Sequence, residues 1–133
     1  MSGVAIVNYI LANNATLTAS IPAARIFSGI APINTDLPAI SITQISATSP
    51  HDPVVAPGNM IRERVQVTVE CKHYVQTKSI MSLIRNAFLT YSRGIVAGFN
   101  CDSVLQDTEG PDLYDQGTGI HAQSTDFIVR WIA

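Results

Sequence analysis

Ile61-Arg62-Glu63-Arg64-Val65-Gln66-Val67-Thr68-Val69-Glu70-Cys71 is the stretch whose reading decides the fold. Ile61, Val65, Val67, Val69 and Cys71 share one parity, interrupted only by Glu63, while Arg62, Arg64, Gln66, Thr68, Glu70 and Lys72 share the other. Side chains alternate between the two faces of a strand, so the pattern predicts a half-buried β-strand with an oily side and a charged side. Its β-branched valines suit a pleated, packed surface. The oily side needs a cover, which the sequence supplies further on. The charged side is either wetted by water or turned to a partner or a channel.

The cover comes directly after the strand. Ile80, Ile84, Ala87, Phe88 and Tyr91, widened by Leu83, recur at i, i+4, i+7, i+8 and i+11. That spacing predicts an amphipathic helix over Thr77–Arg93, closed by Gly94 and with Arg93 at the negative end of its dipole. A second, shorter helix is expected over Gly3–Ala12, capped by Ser2 and stopped at Asn13 and Asn14, with Val4, Ile6, Val7, Ile10 and Leu11 on its packed side.

Before the central strand, Arg25–Ser28 reads as a short edge strand ended by Gly29-Ile30-Ala31-Pro32, and Thr16–Ala24 as loop with one more turn at most. In Ala39–Thr48, Ile40 and Ile42 alternate with Ser41 and Thr43, but Ile45 falls on the opposite parity; a bulge near Gln44 restores it. Pro50, Pro53, Pro57 and Gly58 make Ser49–Asn59 an exposed loop. After the long helix, Ile95–Gln106 reads as a strand, Asp107–Gly119 as an acidic loop, and Ala122–Ile132 as the last strand. Strands run together rather than alternating with helices. The expected class is therefore α+β: a mainly antiparallel sheet of about four to five strands, with a short N-terminal helix and one long helix packed on it.

The 133 residues suffice for one domain, one that can bury roughly two-thirds of its unfolded surface. A hydrophobic share of 47% with 14% charged residues describes a folded chain. A net charge of -2 and a pI near 5.8 argue against a dedicated nucleic-acid binder, which carries a basic excess on one face. Cys71 and Cys101 belong to no C-x-x-C pattern, and two buried reduced thiols are favoured over a disulfide. Met1 to Val7 carries no basic residue before its short apolar run, so no signal peptide is expected, nor is a membrane span, for want of about 18 consecutive apolar residues. Without secretion the sequon Asn14-Ala15-Thr16 carries no meaning.

Catalytic and metal signatures are weak. His51, His73 and His121 are scattered; Cys71 and His73 share a strand face, but zinc takes three or four ligands. Asp107-Thr108-Glu109-Gly110-Pro111-Asp112 lacks EF-hand spacing, and there is neither a G-x-S-x-G elbow nor a phosphate-cradling glycine loop. No cofactor, metal or catalytic residue is assigned, and the chain is not expected to be an enzyme. On the charged face, Arg62, Arg64 and Lys72 are balanced in part by Glu63 and Glu70, which fits plain cross-strand ion pairing on a wet surface as well as it fits an interface.

Four features in order resemble the tail terminator, or tail completion, proteins of long-tailed bacteriophages. They are Arg25-Ile26-Phe27 followed by Pro32; Pro38-Ala39-Ile40-Ser41-Ile42; Arg62-Glu63-Arg64-Val65-Gln66-Val67-Thr68-Val69 running into a helix; and Asp112-Leu113-Tyr114-Asp115 followed by Ser124-Thr125-Asp126-Phe127-Ile128-Val129. The resemblance covers nearly the whole chain. It implies a small α+β virion subunit that forms a homo-oligomeric ring, a hexamer in the family, at the head-proximal end of the tail tube. Such a ring stops tube polymerisation, meets the tail tube protein on one side and a head-completion or neck protein on the other, and lets DNA through its lumen without sequence-specific binding. It implies assembly in the host cytoplasm, no membrane and no catalysis. Near-neutral charge suits such a conduit, because phosphate contacts dominate nucleic-acid affinity. The interface candidates are Arg62, Arg64, Glu70 and Lys72 on the strand, Pro53, Val54 and Val55 in the first long loop, and Asp112, Tyr114 and Asp115 in the second. Another neck or tube ring is the neighbouring alternative, and a small ligand-binding domain or enzyme the alternative of a different class.

Overall fold

In the computed structural model of the chain, which describes residues 3–32, 34–48, 60–91 and 93–132, the deciding stretch is strand β3, Met60–Cys71. Along it Ile61, Val65, Val67, Val69 and Cys71 are fully buried and the alternate residues are not, as the parity requires. β3 is central in a six-stranded sheet whose other strands are β1 (Ile26–Ser28), β2 (Ala39–Thr48), β4 (Gly94–Val96), β5 (Phe99–Asp115) and β6 (Ile120–Ile132), in the order β1-β2-β3-β6-β5-β4. Pairing is antiparallel except at the β1 edge, where Ile26, Phe27 and Ser28 run parallel to Ile40, Ser41 and Ile42.

Among the described residues three α-helices accompany the sheet: α1 (Gly3–Ala12), α2 (Ala15–Thr18) and α3 (Tyr74–Leu89). Asn14 caps α2 through its side chain, which accepts from the Leu17 amide at 3.0 Å, so the residue that stops α1 also starts α2. Ile6, Val7 and Leu11 of α1, Leu17 of α2, and Ile80, Met81, Ile84 and Phe88 of α3 form one buried cluster with the β3 valines and with Phe127, Val129 and Trp131 of β6. Phe88 and Phe127 meet with ring centroids 4.6 Å apart, which fixes α3 against the sheet.

The α1 bounds, the last strand and the presence of a bulge in β2, where the register shifts between Gln44 and Ser46, agree with the sequence reading, but the bulge leaves Ile45 exposed instead of restoring it to the buried face. Four further expectations are corrected. The sheet has six strands, not four to five, and one of its pairings is parallel. The extra strand arises because Ile95–Gln106 is not one strand: the chain reverses at Ala97 and Gly98, both at positive φ (52° and 82°), between the paired Val96 and Phe99. A two-residue hairpin needs positive φ at both central positions, usually signalled by Asn-Gly, and alanine at the first hides the signal. The long helix is displaced, running Tyr74–Leu89 instead of Thr77–Arg93; Tyr91 lies past its end, where its hydroxyl donates to the Cys101 carbonyl at 3.0 Å.

The fourth correction matters most for function. Asp107–Gly119 is not a loop: β5 continues to Asp115, pairing Leu113, Tyr114 and Asp115 with Ala122, His121 and Ile120, and only the turn to Ile120 remains. Gly110 and Pro111 sit where the β5–β6 register slips between Glu109 and Asp112, and a proline is tolerated at such an irregularity on an exposed strand. Three of the acidic residues that suggested a solvated loop, Asp107, Glu109 and Asp112, are held by cations instead.

Candidate interface on the open face of the sheet

Among the described residues the helices occupy one face of the sheet and leave the other open, and that open face displays the polar parity of β3. Register places Arg62 opposite Arg130, Arg64 opposite Ile128, Gln66 opposite Asp126, Thr68 opposite Ser124 and Glu70 opposite Ala122 on β6. The middle of this face is satisfied from within. The Arg64 guanidinium is ion-paired to Asp107 of β5 and, at 3.2 Å, to Asp126. Gln66 Nε2 donates to Asp126 at 3.4 Å, and the Thr68 and Ser124 hydroxyls share a hydrogen bond of 2.8 Å. The hydrogen bonds to Asp107 and Asp126 raise the Arg64 pKa further, and the Arg64 bond in turn holds the Asp107 carboxyl below its ordinary range. Arg64 thus makes cross-strand ion pairs of the kind its alternation with acidic residues suggests.

Glu63 departs from the expectation that it balances those cations. Its parity puts it on the helix side, fully buried, where Trp131 Nε1 donates to Oε1 at 3.4 Å. Its Oε2 has no hydrogen-bond partner among the described residues and abuts Gly3 at the start of α1. A single acidic position within an apolar parity is weak as a sequence signal, because a half-exposed edge gives the same letter.

Asp112 also points to the helix side. It accepts from Tyr74 Oη at 2.8 Å, from Lys78 Nζ at 2.5 Å and from Gln123 Nε2 at 3.2 Å, and Arg85 reaches Glu109 one step along at 3.2 Å. The Lys78 and Tyr74 bonds hold the Asp112 carboxyl low, while the same carboxylate raises both partners. Asp112 is thus a brace between α3 and β5, not a free loop residue. Tyr114 and Asp115 remain exposed at the far end of β5; the Tyr114 ring lies 4.5 Å from that of His121, and Asp115 accepts from the Gly117 amide at 2.9 Å. Pro53, Val54 and Val55 lie outside the described residues.

Glu70 and Lys72, by contrast, join a feature that local sequence patterns do not show. Two adjoining hollows, of about 710 Å³ and about 360 Å³, share Glu70, Thr118 and Ile120 as walls. The larger extends to Pro32, Asp36 and Leu37 from the segment before β2, and the smaller to Leu113, Tyr114 and Asp115. Together they form one groove across the end of that open face, with apolar sides, neutral polar groups, and three carboxylates, Asp36, Glu70 and Asp115, against the single cation Lys72. Four of the sequence candidates, Glu70, Lys72, Tyr114 and Asp115, are brought together there, while Arg62 is at the opposite end of β3.

Among the described residues no group of three or more His, Cys, Asp or Glu side chains could hold a metal ion, and no helix is long and apolar enough to cross a membrane. Cys71 and Cys101 are buried free thiols, and burial pushes both pKa values up, away from the reactive thiolate.

No protein-family model and no curated protein matches the sequence. Among solved structures, a chain of the one described as "Virion of native gene transfer agent (GTA) particle" superposes with a TM-score of 0.75, over 98% of this chain and 95% of that one, at 12% identity. At that identity the likeness is one of fold. This α+β arrangement, from end to end, is thus one that a virion component also adopts.

Proposed function

We propose that this chain is a structural virion subunit that forms a ring at the head-proximal end of a phage-type tail tube, ending tube polymerisation and offering the surface to which the head joins. The observation that carries the reading is the full-length superposition on a chain of a gene transfer agent virion, which leaves little of either chain outside the shared fold. The ordered resemblance to tail terminators, from Arg25-Ile26-Phe27 to Ser124-Thr125-Asp126-Phe127, narrows it to the ring that closes the tube. The partners on this reading are further copies of the chain, the tail tube protein and a neck protein. DNA passes through the lumen, and no chemistry is assigned to any residue. A broad, largely polar face left open by one-sided helices is the kind of surface a ring subunit turns to its neighbours or to its lumen.

Removing the gene and measuring tails by electron microscopy tests the reading. Abnormally long, headless tails are expected. Tails of normal length joined to heads would overturn it, and normal-length tails without heads would move the chain to another ring of the neck. Within the charged face, Lys72→Glu reads the surface, whereas Arg64→Glu also breaks the Asp107 and Asp126 pairs; only Lys72→Glu is expected to lower head joining with unchanged thermal stability.

A further inference from the structure

The charged groups of the described residues sort into two sets. Arg64, Lys78, Arg85 and Arg93 are paired with Asp107, Asp126, Asp112, Glu109 and Asp102, and Glu63 is buried. The carboxylates left without an ion pair among the described residues are Asp36, Glu70 and Asp115, and all of them line the groove. Of the remaining cations, Lys72 is in the groove and Arg25 donates to the Leu37 carbonyl at 3.1 Å. The others, Arg62 and Arg130, make no ion pair among the described residues and face each other across β3 and β6 at the opposite end of the open face, where Arg62 also feels the charge of Asp107, a carboxylate already held by Arg64.

Two like charges directly opposite in a sheet repel, so that end favours an anionic partner, and the groove favours a cationic one. They cannot serve each other within a subunit. Eight residues of strand separate Arg62 from Glu70, about 26 Å at strand rise, while charges in physiological salt are screened over about 8 Å. A second copy of the chain supplies both missing halves. Sheet edges are a poorer route to self-association: β1 and β4 are three-residue strands, and β5 is broken by register shifts after Cys101, Gln106 and Glu109.

We infer that the Arg62/Arg130 end of one copy docks in the Glu70/Asp36/Asp115 groove of the next, a heterologous contact that repeats around the ring; this rests on the ring reading above. The apolar walls at Leu37, Leu113 and Ile120 fit the aliphatic stems of the arginines, and the carboxylates fit their planar guanidinium forks. Every copy is then both donor and acceptor, as closure into a ring requires.

Charge reversal tests the contact on the purified full chain, with mass by light scattering and shape by negative-stain microscopy. The wild-type chain is expected to form rings. Glu70→Lys with Asp115→Lys, and separately Arg62→Glu with Arg130→Glu, are each expected to raise the concentration needed for assembly by at least about tenfold. All four changes in one chain restore opposite signs and are expected to restore the ring. A wild-type chain that stays monomeric overturns the ring reading and this inference with it. Wild-type rings that survive either reversal, a combined variant that melts as a folded protein yet stays monomeric, or a two-fold dimer in place of the ring overturn the contact alone. If a reversed chain does not fold, Glu70→Gln with Asp115→Asn and Arg62→Gln with Arg130→Gln replace the charges without inverting them. Rings as stable as wild type in both, at low and high salt, overturn the contact as well.

Discussion

Gly3 is predicted to be fixed by Glu63, and a double-mutant cycle between them measures how. A Cβ built on Gly3 comes well inside van der Waals contact of Glu63 Oε2 and 2.6 Å from its Cδ. A carboxylate end can usually swing away, but this one is fully buried beneath α1 and held by Trp131. Gly3→Ala must therefore displace either the helix or the carboxyl group. Overpacking of this kind costs about 1–3 kcal/mol, against which alanine's better helix propensity returns up to about 1 kcal/mol. In a Glu63→Ala background the collision is absent, so Gly3→Ala should be neutral or stabilising there. The expected coupling is about 1–3 kcal/mol, well above the few tenths by which independent sites fail to add. Urea unfolding of the four proteins reads it: with m near 2 kcal/mol/M, Gly3→Ala lowers the midpoint by roughly 0.5–1 M in the parent only. Equal shifts in both backgrounds, or a rise in the parent, would refute the packing of α1 on Glu63.

Two further outcomes follow from the core and the ion pairs. Phe127→Ala removes a fully packed ring whose neighbour is Phe88, and should cost about 3–5 kcal/mol, lowering Tm by roughly 10–18 °C for a domain of this length; a fall of less than about 3 °C by calorimetry would mean that α3 is not seated on β6 through this pair. Asp107 and Asp112 have folded-state pKa values below the ordinary 3.8, because of Arg64 and Lys78 respectively, so the native state binds fewer protons than the unfolded chain as acid is added. Their contribution is complete above the unfolded value and is lost as pH falls through the depressed folded values. Asp112→Asn should lower the neutral Tm slightly, since an exposed pair contributes little, and by linkage remove that same small amount from the decline below about pH 4, so that the two Tm curves converge in acid; curves that run parallel into acid would count against the Lys78–Asp112 brace.

Much of this fold is legible in the sequence wherever one periodicity governs a whole element. β3 and α1 are such elements, because burial on one side only imposes a strict period, and the β2 bulge shows as the parity break at Ile45. Legibility fails where a backbone conformation or a distant partner decides. Ala97 takes a positive φ that its side chain does not advertise. The acidic end of β5 looks like loop until Lys78, Arg85 and Arg64, from elements far away in sequence, are seen to hold Asp112, Glu109 and Asp107. The early start of the long helix at Tyr74 is hidden because its first turn, with Tyr74 and Val75 exposed, carries no apolar stripe.

The candidate site divides along the same line. Parity alone places Arg62, Arg64, Glu70 and Lys72 on one face, since that rests on the alternation of a single strand. What each does there depends on β5, β6 and the segment before β2, which the alternation of β3 does not specify. Arg64 is neutralised by Asp107 and Asp126, whereas Glu70 is the wall shared by two hollows, one lined by Asp36 and the other by Asp115, assembled from four separate stretches of chain. Balanced in its middle and charged oppositely at its ends, the face presents no uniform sign to a nucleic acid. Its two unlike ends are separated by more than the screening length, so each responds independently to a neighbour, and in the proposed contact that neighbour is a second copy of the chain. The strand that fixes the fold by its oily side thereby sets the polarity of the subunit by its other side.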